Sequence, residues 1–144
     1  MPKNANVIAT LNEALATEIV CVLRYRNHAY LVTGRDSLPV RDEFLKHSDD
    51  ELKHMDQLAQ RITELGGKPD FNPSTISSRS SVDYIEGKGL ASMIRANLAA
   101  EKIAIETYTE AIQSIGDSDP TTRRLLEEIL AKEEEHEQDL DNLL

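Results

Sequence analysis

Apolar residues recur every three or four positions through four long segments of this chain, and the period breaks between them. In the first segment Val7, Ile8, Leu11, Leu15, Val22, Tyr25 and Ala29 mark one face of a helix running roughly from Asn4 to Val32. The stretch from Gly34 to Pro39 interrupts it. A second helix is expected over roughly Val40 to Leu65, stopped by Gly66-Gly67 with Pro69 just beyond. Residues 67–87 hold Pro, Gly, Ser and Asn and sustain no period, which predicts a long connection. The third helix begins near Gly89 and reaches about Ile115. Gly116 to Pro120 then forms a tight turn, with Asp119 as N-cap and Pro120 at the first helical position. A fourth helix takes the remainder.

Short, long and short connections predict two antiparallel helical hairpins joined by a crossover. The expectation is an all-α four-helix bundle in up-down-down-up order, forming a single domain over residues 1–144.

Composition narrows the partners. The 144 residues include 26 acidic and 16 basic side chains, a formal charge of -10. That balance argues against a nucleic-acid partner, which would need a basic face, and suits cations. Cys21 is the single cysteine, so no intrachain disulfide can form, and a reducing cytoplasm is expected. The opening run MPKNANVIATLNEAL has no long apolar core of a leader, and no stretch is expected to span a membrane.

The candidate chemistry comes from a repeated motif. Glu51-Leu52-Lys53-His54 and Glu133-Glu134-Glu135-His136 both read Glu-x-x-His, and each follows a helix carrying a lone Glu, Glu18 and Glu101. A Glu and a His three apart project from one helix face. With the first turn centred near residue 36, Glu18 lies about 18 residues before it, and Glu51 and His54 about 15 and 18 after. With the second centred near residue 118, Glu101 lies about 17 before, and Glu133 and His136 about 15 and 18 after. At ~1.5 Å per residue all six reach a common height within one helical turn. All six also fall on the apolar stripes, whereas Glu134, Glu135 and Glu137 read as a solvated face. Four carboxylates buried together need compensating cations. Four carboxylates and two imidazoles, without thiolate, form the ligand set of a bridged pair of iron or manganese ions in a helical bundle. Glu51 and Glu133 are placed to bridge, while Glu18, Glu101 and the two histidines are terminal. Such a pair can pass two electrons to O2, leaving open whether Fe(II), an organic substrate or a radical is the product side.

Over nearly its full length the sequence resembles bacterioferritin. The resemblance is carried by Val7-Ile8-x-x-Leu11-Asn12 with Glu18, Val20, Tyr25 and His28, and by Asp50-Glu51-x-Lys53-His54-x-Asp56 followed by Glu64 and Gly66. Leu98-Ala99-x-Glu101 and Glu128-Ile129-Leu130-x-x-Glu133-Glu134-x-His136 complete it. It implies ferritin-like ferroxidase chemistry for iron storage: two Fe ions per chain, with Mn or Zn as substitutes, acting on Fe(II) with O2 or hydrogen peroxide. It also implies a one-electron donor role for Tyr25. Several positions depart from that family. Its haem-ligating Met follows the second-helix Glu, where this chain has Leu52, and Met55 lies on another face; no haem is expected. Its inner-surface iron site uses a His and an Asp, and here Asp50 is present while the His position reads Lys46, with His47 next to it. The family continues into a short fifth helix where this sequence ends at Leu144, and the crossover is longer.

These departures leave the homo-oligomer open among a twenty-four-subunit cage, a twelve-subunit cage and a dimer. A non-storage diiron oxidase or peroxide reductase working as a small oligomer is the alternative. A purely structural bundle is the reading from another class. His28, about 80° round the helix from Glu18, is expected at a subunit interface, and Cys21 as a small buried hydrophobe.

Overall fold

The computed structural model describes residues 4–35 and 37–144. The first three residues of the N-terminal reading and Asp36, the centre of the first turn, lie outside them. Its helices are α1 (Ala5–Leu31), α2 (Leu38–Glu64), α3 (Ile76–Arg79), α4 (Leu90–Ile115) and α5 (Pro120–Asp141). The protein is all-α, as the periodicity predicts.

The helix ends follow from local chemistry. Pro39, read from sequence as part of the break, instead sits in the first turn of α2, where its missing N–H costs nothing. At the other end Gly66 takes φ +84°, its N–H bonding Thr63 O, while Gly67 N–H returns to Ile62 O at 2.9 Å. Both bonds satisfy carbonyls that the helix leaves without partners. Gly67 is needed for a second reason: a Cβ there would stand 2.8 Å from Ile8 Cγ2. Asp119 caps α5 as predicted, accepting from Thr122 N–H at 3.1 Å, with Pro120 following. Arg61 of α2 also donates to Asp119, at 3.2 Å, and so ties the two helices together.

α1 packs along α2, and α4 along α5; α1 also meets α4, and α2 meets α5. The connection from α2 to α4 climbs the length of α1. Asn12 Nδ2 donates to Lys68 O, Arg79 to Asn12 O, Ser81 N–H to Thr17 Oγ1, Arg24 to Asp83 O and Gly87 N–H to Asn27 Oδ1. α4 therefore starts beside the end of α1, and the order is up-down-down-up. The short helix α3 lies inside this crossover, where the sequence shows no period because one turn is too short to express one.

Two apolar clusters pack the ends of the bundle, and a small third of Val20, Cys21, Val82 and Ala100 lies under the crossover. Leu11, Leu15, Leu58, Ile62, Tyr108, Ile112, Leu126 and Ile129 pack at one end, and Tyr25, Ala29, Phe44, Met93, Ile94, Leu98 and Leu140 at the other. Between them on the four long helices fall Glu18, Glu51 with His54, Glu101, and Glu133 with His136.

A buried polar node sits against the crossover. Asn97 Oδ1 accepts from Arg24 Nε at 2.8 Å, and Asn97 Nδ2 donates to His28 Nδ1 at 2.8 Å. The ring's other nitrogen, Nε2, then carries the proton and donates to Ile85 O at 2.7 Å. His28 is fully buried in its own chain, so the expectation that it packs at a subunit interface fails. A helical wheel gives its angle but not the crossover that covers it. The membrane expectation also needs correction. By length and composition α1 is apolar enough to cross a bilayer, but here its apolar stripe faces the other helices, and it buries Glu18 and Arg24 among them. Cys21 is buried, as expected.

Replacing Asn97 by Ala strips partners from a buried guanidinium and a buried imidazole at once. A loss of about 1–3 kcal/mol in unfolding free energy is expected from urea titration followed by circular dichroism, against little change for Ala in place of exposed Gln138.

Candidate metal centre

All six residues predicted from the repeated motif meet at mid-bundle. Glu18 comes from α1, Glu51 and His54 from α2, Glu101 from α4, and Glu133 and His136 from α5; none is more than 5 % exposed. Their donor atoms form two overlapping groups, Glu18, Glu51, His54 and Glu133 in one and Glu51, Glu101, Glu133 and His136 in the other. Within each group the atoms lie within 4.8 Å of one another. Glu51 and Glu133 belong to both.

The unsatisfied atoms divide the roles more sharply than the grouping does. Glu51 and Glu133 each leave both carboxylate oxygens without a hydrogen-bond partner among the described residues. Glu18 and Glu101 leave one oxygen each, and His54 and His136 leave Nδ1. The second oxygens of the latter two Glu are already engaged: Tyr108 Oη–H donates to Glu18 Oε1 at 2.5 Å and Tyr25 Oη–H to Glu101 Oε1 at 2.6 Å. Buried polar atoms are rarely left orphaned. Eight of them facing one point offer two metal ions four donors each: one imidazole nitrogen, one terminal oxygen, and one oxygen from each shared carboxylate. The residues present thus fit a carboxylate-bridged pair.

Each tyrosine serves the other hairpin. Tyr25 follows Glu18 by seven residues and Tyr108 follows Glu101 by seven, and each hydroxyl reaches across to the Glu of the opposite half. The sequence reading singled out Tyr25 but not Tyr108; the repeated spacing is the signal that identifies it. Asp50 has a definite place too. Its Oδ2 lies 2.8 Å from His136 Nε2, so this ring donates from Nε2 and points its bare Nδ1 at the carboxylates.

Residues 8–144 match the ferritin-like domain family. The chain belongs to that family. It is 27 % identical over 135 residues to the bacterioferritin of Desulfovibrio desulfuricans, covering 93 % of this chain and 72 % of that one. It is 34 % identical over 132 residues to a nutrient stress-induced DNA-binding protein of Synechococcus, covering 87 % and 73 %. Among solved structures, the dodecameric thioferritin of Bacteroides fragilis, described as bacterioferritin-related, superposes with a TM-score of 0.91 at 33 % identity, over 95 % of this chain and 83 % of that one.

Crowding four carboxylates forces this ferritin-like centre to share protons. Burial drives the Glu51 and Glu133 carboxyls far above the ordinary value of 4.5, and the neighbouring carboxylates push the same way. Burial would also raise Glu101, but the adjacent Glu133 carboxyl and His136 imidazole outweigh it and hold this group at about 2. Glu18 is likewise lowered against its burial, by Glu51 and His54. Burial raises both tyrosines, which stay neutral donors.

The sign of the pH dependence follows. Glu51 and Glu133 have folded values above their unfolded ones, so their protons stabilise the metal-free fold fully below about pH 4.5, and that stabilisation is lost as pH rises toward the folded values. A divalent ion bound here would have to displace those protons. The metal-free melting temperature should therefore fall between about pH 5.5 and about pH 7.5, while the increase on adding Co(II) grows over the same range. An equal increase at both pH values in a thermal melt would contradict this proton exchange.

Proposed function

We propose that this chain is a ferroxidase that oxidises Fe(II) with O2 or hydrogen peroxide at a paired-metal site within each subunit, in the service of iron storage or detoxification in the cytoplasm. The observation that carries the reading is the set of eight partnerless donor atoms, apportioned as two shared and two terminal carboxylates plus two imidazoles. Membership of the ferritin-like family supports it. The chain would hold two Fe ions, which Mn or Zn can replace, between Glu51 and Glu133, with Glu18 and His54 completing one position and Glu101 and His136 the other. When bound, the pair supplies two one-electron steps: two Fe(II) lose one electron each, and O2 with two protons leaves as hydrogen peroxide.

The chain's own groups handle orientation and protons. Tyr25 and Tyr108 fix the terminal carboxylates by donating to one oxygen of each, and Asp50 fixes His136. Glu51 and Glu133 release their protons as cations enter. Tyr25 would supply one electron to the oxidant, O2 or hydrogen peroxide, as its proton passes to Glu101 2.6 Å away.

We further infer a homo-oligomer. The Bacteroides fragilis relative is dodecameric, and Leu23, Tyr30, Leu31 and Leu38 leave apolar surface exposed near the α1–α2 turn. The -10 formal charge favours cations over nucleic acid as the partner, despite the DNA-binding name of the Synechococcus relative. Glu18, Glu51, His54, Glu101, Glu133 and His136 come from one chain, so the site needs no neighbouring subunit.

The test is anaerobic loading with Fe(II), exposure to air, and size-exclusion chromatography with light scattering. A particle on the order of hundreds of kilodaltons that takes up far more than two irons per chain is expected. A small oligomer stopping at two would instead identify a non-storage oxidase or peroxide reductase. In the same assay Glu51→Gln/Glu133→Gln should oxidise Fe(II) at the background rate. Asp50→Ala should weaken Co(II) binding at one of the two positions by about 10–100-fold, read by calorimetry.

A further inference from the structure

The repeated architecture is broken at one place. Four residues before Glu51 stands His47, and four before Glu133 stands Ile129; three after His136 stands Asp139, and three after His54 stands Gln57. Eight before Glu51 is Glu43, and eight before Glu133 is Leu125. One side of the bundle thus carries a Glu-His-Asp cluster where the other carries Leu, Ile and Gln. The bundle itself does not require those polar residues.

His47 is fully buried, and its two nitrogens face different things. Nδ1 lies 3.2 Å from Tyr25 Oη. That hydroxyl spends its single proton on Glu101, so its oxygen can only accept, and Nδ1 must be the protonated nitrogen. The ring is also stacked on His136, with centroids 4.0 Å apart and planes at 19°. With the ring's proton on Nδ1, the Nε2 lone pair is the ring's free donor. It points at Glu43 Oε1, 2.9 Å away, and Asp139 Oδ2, 3.3 Å away. One nitrogen and two carboxylates converge here, and Glu43 Oε1 is buried without a hydrogen-bond partner among the described residues.

We propose that Glu43, His47 and Asp139 form a third cation site, for a divalent first-row metal, separate from the paired centre. One nitrogen and two carboxylate oxygens, all within 4.8 Å of one another, make a hard-to-borderline donor set for Fe(II), Mn(II), Co(II) or Zn(II). The Glu43 and Asp139 side chains are 26 % and 32 % exposed, so the cation enters from solvent and water completes its coordination. None of its three donors belongs to the paired centre, so the proposal stands apart from the ferroxidase reading. It is not the inner-surface site that the bacterioferritin resemblance implies, because Asp50 is committed to His136 and Lys46 is exposed. The His47 ring joins the third site to the pair: Nε2 holds the cation while Nδ1–H donates to Tyr25, whose hydroxyl donates to Glu101.

The test is equilibrium dialysis of the full-length protein against Co(II), without oxygen, with metal counted by elemental analysis. The wild type is expected to bind about three ions per chain, Asp139→Asn about two, and Glu51→Gln/Glu133→Gln about one. Asp139 is partly exposed and Asn matches its size, so folding is retained, and Glu43→Gln gives an independent second variant. Two ions in both wild type and Asp139→Asn would overturn the third site and leave the pair intact. Three ions in both would also overturn it. One ion in the wild type, abolished by Asp139→Asn, would uphold the third site while sinking the paired-metal reading.

Discussion

Mutual repulsion among buried carboxylates is the constraint around which this molecule is organised. Glu18, Glu51, Glu101 and Glu133 are each essentially removed from water, and among the described residues no Lys or Arg pairs with them. Charges in such a place are tolerated only when paired or protonated. The chain uses two partial remedies, protons on the shared pair and phenol hydroxyls on the terminal pair. Neither satisfies the eight orphaned atoms. The polar layer is thus costly to the fold by itself, and the apolar clusters above and below it supply the stability that allows it to persist.

That arrangement explains the division of labour along each helix. Leucines and isoleucines at both ends lock the helices in register, so the mid-helix Glu and His side chains reach the centre at one height without any loop contributing a side chain. Rigid elements hold such groups more precisely than loops can. The crossover takes no direct part in the centre, yet its hydrogen bonds to Asn12, Thr17, Arg24 and His28 along α1 set where α4 begins, and hence where Glu101 lies.

The bundle and the centre were legible because both are periodic. Helical spacing exposed the stripes, and counting from the turns placed the six Glu and His side chains at one level. What escaped the sequence is what depends on contacts between distant segments. Arg24 looks like a surface cation on any wheel, yet the crossover and Asn97 bury it. Asp50 reads, by the bacterioferritin resemblance, as the Asp of an inner-surface iron site until α5 brings His136 against it. α1 looks apolar enough for a bilayer because its stripe is wide, and only the packed neighbours show where that apolar surface goes. Tyr108 is different: its seven-residue offset from Glu101 was visible, and only comparison of the two halves gives it meaning.

The cross-wired tyrosines carry a consequence for how such a molecule can arise. Each hairpin holds one lone Glu, one Glu-x-x-His pair and one tyrosine that serves the opposite hairpin. A hairpin on its own therefore owns half a centre and a hydroxyl with nothing to bind. Two identical hairpins facing each other would exchange hydroxyls and complete both halves, so the full chain has the logic of a dimer fused through its crossover. Fusion then frees the halves to diverge, which is how His47 and Asp139 can stand on one side while Ile129 and Gln57 stand on the other.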